Sequence, residues 1–312
     1  MLANLPDRLD LAWELRLVSY AYREEFGRPP AGIWHAPGSV TLLADGPLRL
    51  TVAARWGAIA AAGPRPDEVI ELIRMNRPDE RLRLTVQEAA AGAGPAWAGA
   101  GLRGVRGLRG GASLLVSTDL PEGSGVGAAT ATQAAIGLAL RGLAQPGEPR
   151  DAAAQASGSE VGTALLGDRR LPVDVAATGL RLMVIDTRVR SFPQPPIVEH
   201  APVETAAAAL AAGAFGKLGW MLTVAHAAQA RADVQEIAVS AALDAGALGA
   251  RLLADGPGRP VCALLPAGRL AGVRREVADA FAHRRLRRPR FLTVSAGPGP
   301  LGSAPASGCA PR

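Results

Sequence analysis

Hydrophobic residues recur at helical spacing near the start of the chain. Over residues 8–27 they lie three or four positions apart among charged residues, and the segment ends at Gly27, Pro29 and Pro30. This pattern predicts an amphipathic helix that those glycine and proline residues terminate. The next apolar runs are short and bounded by Pro and Gly, which predicts an antiparallel arrangement of strands at 32–35, 40–43, 48–54 and 58–62.

The middle of the chain predicts a strand, a glycine-rich turn and a helix in direct succession. Residues 112–117 are apolar, 120–127 are rich in glycine, and 128–143 are rich in alanine. The preceding stretch, 89–111, combines glycine and alanine around Trp97 and predicts a variable loop.

The second half of the chain predicts helices packed on another sheet. We divide the chain into an N-terminal domain (1–178), a C-terminal domain (179–300) and a small, proline-rich disordered tail (301–312). The elements predicted for the C-terminal domain are strands at 180–187, 247–253 and 261–265 and helices at 203–213, 216–232 and 236–245.

Composition narrows the classes of function. No apolar run approaches the roughly 20 residues that a membrane-spanning helix needs, and the N-terminus lacks a purely apolar signal stretch, so we expect a cytoplasmic protein without membrane contact. Two cysteines and four scattered histidines predict neither a disulfide framework nor a metal site. The net charge is +6, with a basic patch at 283–290 that could bind nucleic acid. A solvated helix end is favoured, because no aromatic residues interleave the arginines.

The glycine-rich turn is the strongest candidate site. Backbone amides in such a turn, followed by the amide-rich start of a helix, are suited to bind phosphate. The P-loop pattern and the acidic residue of a dinucleotide fold are both missing from the sequence, which excludes those two kinds of nucleotide site. Small residues in such a turn are also typical of a simple strand-to-helix connection. The candidate nucleotide-binding residues are Pro121, Gly123, Ser124, Gly125, Gly127 and Thr130.

Three segments in order resemble the motifs of galactokinases. Residues 32–43 (GIWHAPGSVTLL) are similar to the opening motif, 118–127 (TDLPEGSGVG) to the glycine-rich second motif, and 245–253 (AGALGARLL) to the lead-in of the third. Residues 171–190 are also similar to a galactokinase segment. The resemblance implies the α+β fold of the GHMP kinases, with an N-terminal ribosomal S5 domain 2-like domain and a ferredoxin-like C-terminal domain. It also implies a sugar or nucleotide as ligand, and ATP with Mg²⁺ as cofactors if the protein is active. A protein partner is not indicated.

The departures from the galactokinase motifs fall on residues that carry the family's chemistry. Ser39 stands where the family has an arginine that neutralises the transferring phosphoryl group, and Asp45 stands where it has a sugar-binding glutamate. The His-Thr-Asp-Tyr that follows in galactokinases is missing. The family's three serines, one of which holds magnesium, are replaced by Gly127, Ala128 and Ala129. The third motif becomes 253–259 (LADGPGR).

The catalytic aspartate of galactokinases has two possible counterparts. Residues 162–168 (GTALLGD) match the strand that follows the family's catalytic loop, which implies that this loop is deleted. In the rival alignment Asp168 takes the catalytic role.

Two hypotheses follow: a catalytically impaired relative that binds or regulates, which we favour, and an active ATP-dependent sugar kinase. The second would use Asp45 or Asp168 as the acid and Thr130 for magnesium. A carboxylate and a hydroxyl converging on the turn would favour the second.

Overall fold

The structure, a computed structural model, describes residues 9–145, 163–166, 169–172, 175, 178–189, 200–228, 233–253, 259–294 and 301–303. Its helices are α1 (Leu9–Phe26), α2 (Val86–Ala90), α3 (Gly99–Leu102), α4 (Ala128–Ala144), α5 (Val203–Ala211), α6 (Phe215–Ala227), α7 (Asp233–Asp244) and α8 (Leu270–His283). Its strands are β1 (Gly32–Asp45), β2 (Leu48–Arg65), β3 (Val69–Arg74), β4 (Arg77–Thr85), β5 (Gly111–Thr118), β6 (Thr163–Leu166), β7 (Arg169–Pro172), β8 (Leu180–Asp186), β9 (Gly249–Leu252), β10 (Val261–Pro266), β11 (Arg290–Val294) and β12 (Leu301–Ser303).

The first sheet has the strand order β12-β1-β2-β5-β3-β4, with the hairpin of β6 and β7 attached to β2. All its pairs are antiparallel except β3 with β5. The four short strands predicted for its start are in fact two long ones, β1 and β2. Their pairing continues past Pro37 and Gly38 because a register shift between Pro37 and Ser39 absorbs the irregular residues.

Helices cover both faces of this sheet. The helix predicted at 8–27 is confirmed as α1, whose Leu15, Val18 and Tyr22 pack with Ile59 and Leu115 on one face. The alanine-rich helix is confirmed as α4, which buries its apolar side against the opposite face. Small alanine side chains let α4 lie close to the strands, so the turn that precedes it is held tightly at the sheet.

The second sheet has the order β11-β8-β10-β9 and is antiparallel throughout. Helices α7 and α8 share a core with one of its faces, while side chains such as Leu182 and Leu264 belong to the core of the first sheet. Helix α6 contacts β9 directly: a Cβ at Gly249 would lie 1.9 Å from the carbonyl oxygen of Gly219. Glycine is therefore required at this crossing.

A buried arginine joins the two sheets. Arg251 on β9 is 1 % exposed, and its Nη1 donates to the carbonyl of Leu42 on β1 at 2.7 Å. Its Nε donates to the carbonyl of Leu252 at 2.9 Å. Cys262 pairs opposite Arg251 and is buried as predicted, and burial raises the pKa of its thiol to about 12, although Arg251 lowers it slightly.

The C-terminal strand corrects the predicted tail. Leu301–Ser303 form β12 and pair with Ile33, Trp34 and His35 of β1, so the tail assigned to 301–312 begins too early. The sequence could not reveal this pairing, because an exposed strand edge accepts almost any backbone. Residues 304–312 lie outside the described ranges, and the domain division at 178/179 stays a prediction. Over the described residues, no helix combines the length and apolar character needed to cross a bilayer.

Candidate functional site

The glycine-rich turn has the backbone that its sequence requires. Gly123, Gly125 and Gly127 adopt φ values of +73°, +75° and +69°, in the left-handed region that favours glycine. Gly127 is the N-cap of α4, and no side chain caps the amides of the first helical turn. Ala129 and Thr130 in that turn are exposed. The strand-turn-helix prediction is thus confirmed, and it brings uncapped amides to the positive end of a 17-residue helix.

The hydroxyls near the turn differ in availability. Ser124 is buried and donates its hydroxyl to the carbonyl of Pro121 at 2.6 Å. Thr132 is also buried and donates to the carbonyl of Ala128 at 2.9 Å. Of these three hydroxyls, only that of Thr130 lies on an exposed residue. Ser124 and Thr132 therefore stabilise the turn and helix rather than offer free ligands.

The opening segment lies against the turn at residue 39. The backbone amide of Ser39 donates to the carbonyl of Val126 at 3.0 Å, and a Cβ at Gly127 would lie 3.0 Å from Ser39 Oγ. The preceding Gly38 also approaches the Val126 carbonyl closely. Residue 39 is consequently next to the start of α4, a contact that the sequence alone did not reveal.

The third segment closes over the same turn. A Cβ at Gly125 would lie 2.4 Å from Cγ of Pro260 and 3.1 Å from Cδ1 of Leu253. The amide of Leu253 donates to the carbonyl of Pro260 at 2.8 Å, which closes the loop between β9 and β10 at its base. Residues 254–258 of this loop lie outside the described ranges. Three segments distant in sequence thus converge at one place.

Of the two candidate acids, the structure describes Asp45, which lies away from this cluster. Asp45 ends β1 six residues beyond Ser39, which corresponds to about 20 Å of strand at about 3.3 Å per residue. The two-residue turn of Gly46 and Pro47 leads directly into β2, and Asp45 pairs with Nδ1 of His200 at 3.2 Å. Asp168 lies outside the described ranges. The strand expected next to it is present as β6.

Comparisons of the sequence and of the structure both find similarity to galactokinases. No family model matches the sequence. A galactokinase of Streptomyces coelicolor is 25 % identical over 88 % of this chain and 95 % of its own length. A galactokinase of Chloroflexus aggregans is 29 % identical over 57 % of this chain and 54 % of its own.

The structure of Lactococcus lactis galactokinase complexed with galactose superposes with a TM-score of 0.76 at 16 % identity, covering 92 % of this chain and 99 % of that one. The chain thus resembles galactokinases in sequence and has the fold of the GHMP kinases. A mevalonate kinase structure shares the fold with a TM-score of 0.57 at 12 % identity, over 84 % of this chain and 98 % of that one.

The resemblance to galactokinases implies ATP and Mg²⁺ as cofactors, and the described residues fit these two unequally. The uncapped amides at the start of α4 are suited to phosphate oxygens. Magnesium needs several oxygen ligands, but the described ranges hold no group of three or more His, Cys, Asp or Glu side chains that could bind a metal. Thr130 and Ser39 offer hydroxyls there. The described residues therefore fit a phosphate group, and within the described ranges they offer no set of carboxylates for its magnesium ion.

Glu122, inside the turn, belongs to a closed ring of charges. Its carboxylate accepts hydrogen bonds from Arg74 and from Arg77, the latter at 2.8 Å, and Glu80 accepts from the same two arginines at 2.7 and 3.1 Å. We call these four residues the arginine–glutamate network. Arg74 is 6 % exposed and its guanidinium lies 4.9 Å from the ring centroid of Trp97. The network fastens the turn to the hairpin of β3 and β4, and it neutralises a charge that would otherwise face a bound anion.

We expect this network to make stability depend on pH. Arg74, with Arg77, lowers the pKa of Glu80, so the carboxylate stabilises the fold above its ordinary pKa and this contribution is lost as pH falls through the lowered value. The free energy of unfolding should decrease between about pH 5 and pH 3, and Arg74→Met should make that decrease shallower. At neutral pH the variant should lose about 1 to 3 kcal/mol.

Urea denaturation at several pH values measures both effects. Arg81→Met is the matched control, because Arg81 pairs with Glu25 on the surface and its loss should cost at most about 1 kcal/mol. If Arg74→Met and Arg81→Met behave alike, the network does not hold the turn.

The structure also shows where the basic patch and His226 lie. The basic patch begins at the end of α8, as predicted, and Nη1 of Arg284 donates to the carbonyl of Ala280. His226 is largely buried, with Nε2 at 2.9 Å from a carboxylate oxygen of Glu236 and Nδ1 accepting from the amide of Leu252 at 3.3 Å. It thus supports the strand that leads to the third segment.

Proposed function

We propose that this chain is a non-catalytic galactokinase relative that retains a phosphate-binding turn and acts by binding rather than by phosphoryl transfer. The contact between Ser39 and Gly127 carries the proposal. The resemblance assigns to position 39 an arginine that neutralises the transferring phosphoryl group, and this position lies at the start of α4. Serine brings no charge to that place, and transition-state charge stabilisation is the main requirement of phosphoryl transfer.

The carboxylates near the turn also support this proposal. Glu122 is held by Arg74 and Arg77. Partial burial raises the pKa of Asp119, whose carboxylate accepts a hydrogen bond from the amide of Gly57. An active kinase with a rebuilt site would need an acid beside Thr130, and these two side chains are engaged elsewhere. Asp45 is too distant to serve without a rearrangement of the hairpin.

The ligand class that fits best is a phosphate-bearing molecule bound weakly and without magnesium. The amides of residues 123–130 would contact phosphate oxygens, and the paired state of Glu122 reduces the repulsion that its charge would cause. Galactose fits less well, because the family's sugar-binding residues after position 45 are missing and each unmade buried hydrogen bond costs about 1 to 3 kcal/mol. We retain the predicted cytoplasmic location as part of the proposal.

Titration calorimetry with ATP, with and without Mg²⁺, tests the proposal. We expect weak binding, with a dissociation constant well above the micromolar range and unchanged by Mg²⁺. Amide shifts in a ¹H–¹⁵N spectrum at millimolar ATP should be confined to residues 123–130. Saturation transfer NMR should show no galactose signal. Low-micromolar, magnesium-dependent ATP binding, or a galactose signal that Asp45→Ala abolishes, would overturn it.

A further inference from the structure

The arginines of the basic patch at 283–290 follow the end of helix α8 rather than lie on its surface. The helix ends at His283, and the chain then leads to β11 through Arg284, Arg285, Arg287, Arg288 and Arg290. All five arginines are exposed, whereas Pro289 is buried and Leu286 packs against the core of the second sheet. The backbone is therefore anchored to the sheet while the guanidinium groups reach the solvent.

The net charge of the chain is concentrated in this patch. The sequence holds 34 Lys and Arg residues and 28 Asp and Glu residues, which gives a net charge of +6. Subtracting the five arginines of the patch from 34 leaves 29 basic residues against 28 acidic ones, so the rest of the chain is nearly neutral. No acidic residue follows Asp279 in the sequence. A basic excess confined to one short segment is typical of proteins that bind polyanions.

Neighbouring carboxylates do not neutralise the patch in the described part of the chain. The ion pairs formed there join other residues, and none involves residues 283–290. The register of β8 and β11 places Asp186 opposite Arg290. However, Asp186 is 1 % exposed, and its carboxylate accepts a hydrogen bond from the amide of Arg188 at 2.9 Å. The positive charge of the patch therefore faces the solvent.

We propose that the basic patch binds the phosphate backbone of a double-stranded nucleic acid, independently of base sequence. Guanidinium groups bind phosphate oxygens through paired hydrogen bonds. The segment from Arg285 to Arg290 spans at most about 18 Å. One strand of a duplex carries a phosphate about every 3.4 Å along the helix axis, so about five phosphates lie along this length. The spacing of the charges in the patch thus suits one strand of the duplex.

The surroundings of the patch favour this ligand over a membrane or an acidic protein. Among the described residues, no large exposed apolar side chain follows Leu248. The patch therefore lacks a group that would enter a bilayer or form the apolar centre of a protein interface. Interfaces with nucleic acids are instead polar and strongly basic. The described patch also lacks an exposed aromatic ring that would stack on an unpaired base, which favours a duplex over a single strand.

The number of arginines sets the expected salt dependence. Arg284 is engaged with the carbonyl of Ala280, which leaves four arginines for about four phosphate contacts. The logarithm of the binding constant should then fall with the logarithm of salt concentration with a slope of about −3.6. Affinity should decrease about 100-fold between about 50 and 200 mM salt, from a dissociation constant of a few micromolar. This inference does not depend on the proposed function.

Fluorescence anisotropy of labelled DNA and RNA duplexes of about 20 base pairs, titrated with the full chain at about 50 to 200 mM salt, tests the proposal. The double variant Arg287→Gln with Arg288→Gln should bind at least about tenfold more weakly at the lowest salt and reduce the slope by about 2. The double variant Arg106→Gln with Arg109→Gln is the matched control. It removes the same charge from two exposed arginines that precede β5, and it should leave the affinity nearly unchanged. Circular dichroism verifies that both variants are folded.

Binding of either duplex with the expected salt slope supports the proposal, and the comparison of DNA with RNA shows which backbone is preferred. No change in anisotropy up to about 200 µM protein at about 50 mM salt would overturn it. Equal losses in the two double variants would contradict it as well, because net charge alone would then account for the binding. Tighter binding to phosphatidylserine vesicles or to poly-glutamate than to either duplex would assign the patch to a membrane or to an acidic protein instead.

Discussion

Purified protein is expected to yield no detectable sugar 1-phosphate from galactose at millimolar ATP and galactose. Loss of a positioned acid-base residue typically reduces a rate by about 10² to 10⁴. Loss of a group directed at developing charge, as with Ser39 in place of arginine, removes roughly a further 10² to 10³. Residues that act as a unit do not add fully, so we expect a combined loss of at least about 10⁴ from a typical turnover of ~10 s⁻¹.

A coupled assay for ADP, supported by direct detection of the sugar phosphate, measures this result. A galactokinase with intact motifs, assayed in the same buffer, serves as the positive control. Ser39→Arg alone should not restore turnover, because the described carboxylates at the turn, Asp119 and Glu122, are engaged in other contacts. Turnover within about tenfold of the typical value, abolished by Asp168→Asn, would move the active-kinase hypothesis to first place.

Gly125→Ala is expected to destabilise the protein by about 2 to 5 kcal/mol. A left-handed conformation such as φ +75° costs a non-glycine residue roughly 1 to 2 kcal/mol. The added Cβ would also lie 2.4 Å from Pro260, and overpacking of this kind costs about 1 to 3 kcal/mol. Because Pro260 directly precedes β10, the strand after the third segment, the substitution should loosen the contact that assembles the site.

Gly27→Ala separates the two causes. Gly27 has a similar φ of +68°, but a Cβ there would meet nothing within 4 Å, so only the backbone cost of about 1 to 2 kcal/mol is expected. Urea denaturation of both variants gives the comparison. Equal losses for the two would mean that Pro260 moves aside without cost and that the third segment is not firmly docked on the turn.

The arginine–glutamate network changes how the glycine-rich turn is understood. From the sequence, the acidic Glu122 is a source of repulsion toward phosphate. In the structure its charge is shared with two arginines of a neighbouring hairpin. The weak nucleotide binding that we expect therefore rests on the missing magnesium ligands and on Ser39 rather than on Glu122.

The sequence by itself determined the fold class, the helices α1 and α4, the glycine-rich turn and the resemblance to galactokinases. These features depend on local spacing and on short motifs, which neighbouring residues largely specify. It did not reveal β3 and β4 or the pairing of β12 with β1. Only the tertiary structure decided that Ser39, Gly125 and Pro260 meet, that Arg74 pairs with Glu122, and that Asp45 lies far from the turn. Such contacts join residues widely separated in the chain, and their geometry follows from the strand order of the first sheet and from how the second sheet packs beside it, rather than from any local pattern.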